Sequence, residues 1–210
     1  MHPLLEISLN SVIFRLFINP PDMKKFFLLL SAILVIIKAE PQEVLKDEAL
    51  KAFEYLNEMR LSPESFSETV GVDLAYVEPR QKLQWNEILA RVAEQKALDM
   101  AEREYFAHVD PDGNAINILI KEAGYEILDS WVEDIRNNFF ESIQAGASTG
   151  QEVINDLVLD EGIDPPGHRN HLLGIDPFWS NCPDAGIGMV RKEGTEYEYY
   201  TCIIIAKHDF

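Results

Sequence analysis

The apolar residues of this chain follow two periodicities, and the change from one to the other sets the expected architecture. From Asp47 to Arg60, Leu50, Phe53, Leu56 and Met59 recur every three residues, which predicts a helix ended by Ser62 and Pro63. Between 61 and 84 the pattern is irregular, with Phe66, Val70, Leu74 and Leu83 as expected anchors. Asn86 is placed to cap a longer helix, with Glu87 in its first turn where the dipole favours an anion. Leu89, Val92, Ala93, Ala97 and Met100 make its apolar face; Arg91, Glu94, Gln95 and Asp99 lie opposite. Asp110-Pro111 and Asp112-Gly113 mark a loop, after which Asn114 is expected to open a helix carrying Ile116, Leu119 and Ile120 and stopped by Gly124. Residues 126–137 are acidic and poorly patterned, while Phe139 to Ile143 suits a short strand or a tight loop. Thr149 with Glu152 reads as a capping box for a helix through Val153, Ile154, Leu157 and Val158. Then the period shortens. Residues 185–191 and 197–205 are strand-like, rich in β-branched and aromatic side chains, and Gly194 lies in the hairpin turn between them. Helices first and a hairpin last predict an α+β domain.

The N-terminus does not belong to that domain. Met23-Lys24-Lys25 precedes an apolar run from Phe26 to Ile37, the form of a secretory signal with a cleavage position at Ala39, an uncleaved anchor being the rival reading. Met23 is also the better start. The expected division is a leader over 1–39, a short linker over 40–46 and one domain over 47–210. The mature chain then has no membrane span and is secreted, extracellular or periplasmic.

The full chain has 36 acidic and 18 basic residues, a formal charge of −18. Without the leader 34 acidic and 14 basic residues remain, about −20. Such a chain lacks the basic footprint that nucleic acid or an anionic membrane requires. Two cysteines, Cys182 and Cys202, in an exported chain predict one structural disulfide, and their spacing excludes a Cys-x-x-Cys motif.

Candidate chemistry gathers in Pro165-Pro166-Gly167-His168-Arg169-Asn170-His171-Leu172-Leu173-Gly174. The prolines and Gly167 break any incoming helix, a short helical turn comes next, and Gly174 is its C-cap. His168 and His171, three apart, would share a face of that turn. Asp160 and Glu161 stand just upstream, His108 comes after the long helix, and Glu141 sits in an aromatic setting. Imidazoles beside carboxylates suit general acid–base work or metal binding. No Gly-x-Ser-x-Gly elbow is present, and the cysteines are assigned to the bridge, so no nucleophile is visible.

The order of these residues, together with Leu56-Asn57…Arg60, Trp85-Asn86…Ala97…Met100-Ala101, Tyr105-Phe106-Ala107-His108, Gly167-His168-Arg169 and Ala185-Gly186-Ile187-Gly188, resembles bacterial members of the cysteine-rich secretory, antigen 5 and pathogenesis-related (CAP) superfamily over residues 47–206. The resemblance implies a three-layer α/β/α sandwich with a small antiparallel sheet between helices, and a cleft where two histidines and two acidic residues meet. His108 and His168 match the family's histidines and Glu141 its first glutamate; the second acidic residue is Asp160 or Glu161, with Glu161 preferred on side-chain length. The chain departs from the family at Phe140 and Ser142, which replace the glycine and asparagine flanking that glutamate, and at His171, which replaces a common asparagine. A tryptophan usual before Gly-His-Arg is missing. The function expected of such a chain is that of an extracellular binding module for a small ligand or cell-envelope component, with zinc or another divalent cation on His108 and His168 as the candidate cofactor. The alternative is a metal-dependent hydrolase acting on peptide or cell-wall material; the absent nucleophile inclines the reading away from an enzyme. Neither ligand nor oligomeric state can be read from the sequence.

Overall fold

In a computed structural model, which describes residues 42–208, the chain's last two strands form the centre of the sheet. These strands, β4 (Asp184–Arg191) and β5 (Tyr199–Ala206), pair antiparallel from Asp184↔Ala206 to Arg191↔Tyr199. Next to β5 lies β3 (Glu141–Ala145), antiparallel and in register Glu141↔Ile204 and Ile143↔Cys202. Two short strands share the other edge of β4: β1 (Glu43–Val44) antiparallel at one end, and β2 (Gln84–Trp85) parallel at the other. Residues 43–44, expected in a linker, are therefore part of the sheet. The leader expected over 1–39 lies outside the described residues.

Register assigns the faces. Gly186 and Gly188 of β4 stand opposite Ile204 and Cys202, so these share a face with Glu141 and Ile143. On that face lies α3 (Glu87–Arg103), whose backbone at Leu89–Ala90 and Ala93–Glu94 fills the places where Cβ atoms of Gly186 and Gly188 would sit. Ser142 and Gln144 point the other way. Ser142 meets His171 of α6 (Gly167–Leu173), and Gln144 donates to Asp156 of α5 (Gly150–Leu159), 2.9 Å away. Helix α5 in turn packs on α1 (Lys46–Leu61) so closely that a Cβ on Gly150 would overlap the backbone of Glu48 and Ala52. The result is the expected three-layer α/β/α sandwich with a small, mainly antiparallel sheet.

Most helix boundaries arise from local signals. Asn86 accepts from the N–H groups of Ile88 and Leu89, and Thr149 with Glu152 forms a complete capping box. The short helix α2 (Ser67–Val70) occupies the stretch that lacked a pattern. Helix α4 (Ile116–Glu122) starts after Ala115, not at Asn114, whose N–H is instead taken by the Asp110 carboxylate. A further short helix, α7 (Pro177–Ser180), is capped by Asp176.

The expected disulfide is overturned by the same register. Cys202 stands opposite Gly188, four residues into β4 from Asp184, while Cys182 lies before the strand begins, so the strand alone sets them roughly 13 Å apart. A disulfide spans no more than about 7 Å between Cα atoms. Both thiols are free and buried. Burial pushes the Cys182 thiol up to about 11, with nearby Lys207 and Arg60 acting against it.

Gly188→Ala is expected to destabilise the fold by about 3 kcal/mol or more, because backbone rather than a flexible side chain occupies the added methyl's place. Urea unfolding beside Thr149→Ala, which loses only a cap worth about 1 kcal/mol, tests the ranking. Thiol labelling of denatured, unreduced protein is expected to find two thiols per chain; none would restore the bridge.

Candidate functional site

The loop after α3 is fixed by a buried lysine. Lys96 lies on the apolar side of α3, seven residues after Leu89 and four before Met100, and is buried with them. Its ammonium donates to Tyr105 Oη at 3.1 Å and to the His108 carbonyl at 3.3 Å. Tyr105 donates in turn to Asp99 at 2.6 Å, and burial with that carboxylate holds its phenol well above the usual range. This anchoring sets His108 beside the end of β3, where its Nδ1 donates to Glu141 Oε2 at 2.7 Å. The Glu141 side chain is 0% exposed and that of His108 40%. The other carboxylate oxygen of Glu141 accepts from the Cys202 thiol at 3.4 Å. Burial, reinforced by the Glu141 charge, pushes that thiol far above its ordinary value.

A second pair is built where α5 ends. Asp160 terminates α5 in the left-handed conformation at φ 53°, a position where aspartate is tolerated better than most residues. Its carboxylate turns back to accept from His168 Nδ1 at 2.7 Å and from the His168 backbone N–H at 2.9 Å. Arg169 donates to the carbonyls of Val158 and Leu159, both at 2.6 Å, satisfying acceptors that the end of α5 leaves open. The Asp160 side chain is 1% exposed and that of His168 30%. Glu161, the preferred second acidic residue, is exposed and makes neither contact. Asp160 is the carboxylate on His168: its position inside the αL turn decides this, and side-chain length does not.

His168 and His171 do not share an environment. His171 is 3% exposed, shares a hydrogen bond with Ser142 Oγ at 2.7 Å, and packs 5.6 Å from the Trp179 ring. Nε2 makes no well-formed hydrogen bond. Burial pushes its pKa down to about 3; the Ile205 backbone opposes this, while the charges of His168, Arg60 and His108 add to it. Glu141 and Ser142, neighbours on opposite faces of β3, hold His108 on one side of the sheet and the helix that carries His168 and His171 on the other. Phe140, at the family's glycine position, is buried and stacks on Phe178, and Trp179 donates to the Phe139 carbonyl at 2.8 Å. These aromatic side chains therefore pack against one another and, through Trp179, against His171.

Sequence reasoning singled out Ser142 as a departure and Arg169 within Gly-His-Arg without giving either a role, and it passed over Lys96, whose signal is a cation at helical spacing inside an apolar stripe. As for a metal, His108 and His168 each have Nδ1 committed to a carboxylate, the arrangement that orients an imidazole to ligate through Nε2. Among the described residues, however, no group of three or more His, Cys, Asp or Glu side chains is arranged to hold an ion. The residues suit two ligands and their outer partners, short of a full protein cage.

A three-layer sandwich with two histidine–carboxylate pairs at one end of its sheet defines the class. Residues 53–204 match the model of the cysteine-rich secretory protein family (CAP), and the chain belongs to that family. Its fold is similar to that of an outer surface protein from Borrelia burgdorferi, at 13% identity and a TM-score of 0.54, over 81% of this chain and 99% of that one. An extracellular protein containing an SCP domain from Bacillus anthracis str. Ames matches at 19% identity and a TM-score of 0.47, over 78% of this chain and 43% of that one. No curated protein sequence matches the chain significantly. Among the described residues no helix is long and apolar enough to cross a membrane.

The buried imidazole yields a pH prediction. His171 has a pKa of about 3 in the fold against 6.5 ordinarily, so below 6.5 the unfolded chain binds a proton that the folded one refuses. Stability present above that pH is lost as pH falls toward 3. Compared with His171→Asn, the parent should lose up to about 1.4 kcal/mol per pH unit between pH 6 and 4 in urea unfolding. A pH-independent difference between the two proteins would contradict a buried neutral ring.

Proposed function

We propose that this protein is an extracellular binding module in which His108 and His168 present their Nε2 atoms to a divalent ion together with a small ligand or cell-envelope component. The observation that carries this reading is the matched construction of the two pairs. Each half-exposed histidine is oriented through Nδ1 by a carboxylate that solvent does not reach. Such a carboxylate fixes both ring orientation and tautomer, which is useful only if the far nitrogen meets something. Zinc, if bound, would supply positive charge for an anionic or carbonyl-bearing ligand. With two protein nitrogens, affinity would depend on what completes the coordination. The neighbouring hydroxyl and thiol, Ser142 and Cys202, are both buried, so hydrolysis at this site would need a metal-bound water as nucleophile. The signal-like segment after Met23 supports export, in keeping with the outer-surface setting of the Borrelia burgdorferi relative.

Zinc titration of protein purified without chelator tests the proposal. His108→Ala and His168→Ala should each weaken zinc binding at least tenfold, and His171→Ala much less, since its ring is buried. Identical isotherms for the parent and both single variants would remove the metal from the reading. Zinc-dependent peptide or glycan cleavage lost in the same variants would replace binding with hydrolysis.

A further inference from the structure

At the end of α6 away from His168, three cations gather with no carboxylate among the residues that line the cavity beside them. Arg60 near the end of α1, Arg80 and Lys82 line a cavity of about 540 Å³, closed on one side by Ser180 and Asn181. The cavity lining contains no Asp or Glu. In a chain with twice as many acidic as basic residues, that composition is unusual. Among the described residues none of the three cations makes an ion pair.

Arg60 is 2% exposed, and a charge so deeply buried ordinarily has a carboxylate beside it. Here it donates to two carbonyls, from Nη1 to Leu172 at 2.6 Å and from Nε to Gln81 at 3.5 Å. Arg80 donates from Nε to the Gly174 carbonyl at 3.0 Å, and its backbone N–H to the Arg60 carbonyl at 2.7 Å. A guanidinium carries five donors in a planar fork, so most of those on the two arginines remain unspent. Burial, and after it the like charge of Arg80, lowers the Arg60 pKa to about 10, which leaves Arg60 cationic at neutral pH. Asp184, just beyond Pro183 in the cavity wall, is engaged by the Tyr125 hydroxyl at 2.8 Å.

We infer that Arg60, Arg80 and Lys82 form an oxyanion site that takes a phosphate group, free or carried on a larger polar molecule. Two guanidinium forks and an ammonium match the several acceptor oxygens of a tetrahedral dianion. A dianion also removes the repulsion between neighbouring guanidinium groups, and the cavity leaves room for the body to which a phosphate is attached. The site is separate from the histidine pairs and stands or falls without them.

Calorimetric titration of the full chain with inorganic phosphate, at fixed ionic strength in a phosphate-free buffer, tests this. Saturable binding is expected, with a rise in the thermal midpoint that sodium chloride at equal ionic strength does not reproduce. Lys82→Glu, at an exposed position, should weaken binding at least fivefold; Arg80→Gln with Lys82→Gln should abolish it while Arg60 keeps its carbonyl bonds. Phosphatidylglycerol vesicles, with phosphatidylcholine vesicles as the control, separate the sources. Capture that inorganic phosphate competes away assigns a lipid headgroup; phosphate binding without capture assigns a soluble phosphate. Equal midpoint shifts in phosphate and chloride with no vesicle capture, or binding that Lys82→Glu leaves unchanged, would reduce the cluster to a carbonyl-binding brace and overturn the inference.

Discussion

The structure depends on how closely α3 lies against the sheet. Gly186 and Gly188 give the helix backbone the places their Cβ atoms would occupy, so helix and strand meet without intervening side chains. Everything on that face takes its position from this contact. It fixes the end of α3, from which Lys96 and Tyr105 hold the His108 loop, and it faces the same layer as Glu141. Because cores are close-packed and relax only partly, a shift of this helix would be transmitted directly to the 2.7 Å contact between His108 and Glu141.

The second pair comes from the opposite layer by different physics. There a helix ends, and its open carbonyls and the next helix's open N–H groups are satisfied by one short stretch: Arg169 serves Val158 and Leu159, Asp160 serves the backbone of His168. The histidine ring is oriented by the same carboxylate that caps its helix. Ser142, adjacent to Glu141 but on the other face, bonds His171 one turn beyond His168 and so ties the two halves through β3. The family's usual asparagines at these two positions are replaced here by a serine and a histidine that complement each other.

Local chemistry made much of this legible. Asn86, Thr149 with Glu152, and Gly174 each marked a helix boundary because capping is decided within a few residues. The β-branched and aromatic runs at 185–191 and 197–205, with Gly194 between them, marked the hairpin. The motif order that resembles CAP proteins singled out His108, Glu141 and His168 as residues of one cleft. What could not be read was set by tertiary burial or by a single backbone dihedral. Helical spacing put His168 and His171 on one face, yet the sheet buries one ring and leaves the other half open. Asp160 and Glu161 differ in composition by one methylene, but φ at Asp160 decides which meets the histidine. The disulfide was inferred from compartment and count, and strand register, which neither contains, forbids it.

Helix α6 shows how so acidic a chain spends its charges. A seven-residue helix is too short to be stable by itself, and the open N–H and C=O groups at its ends need partners from elsewhere in the fold. At its start, the N–H groups meet the Asp160 carboxylate; at its end, the Leu172 and Gly174 carbonyls meet Arg60 and Arg80. Opposite charges thus clamp opposite ends, each complementing the partial charge it faces. Arg60 and Arg80 reach these carbonyls from α1 and from the loop before β2, so the clamp also joins the N-terminal third of the domain to the helix that carries His168. The fixed position of that histidine is a property of both ends, which is why a residue as far along the chain as Arg60 belongs to the physical description of the site.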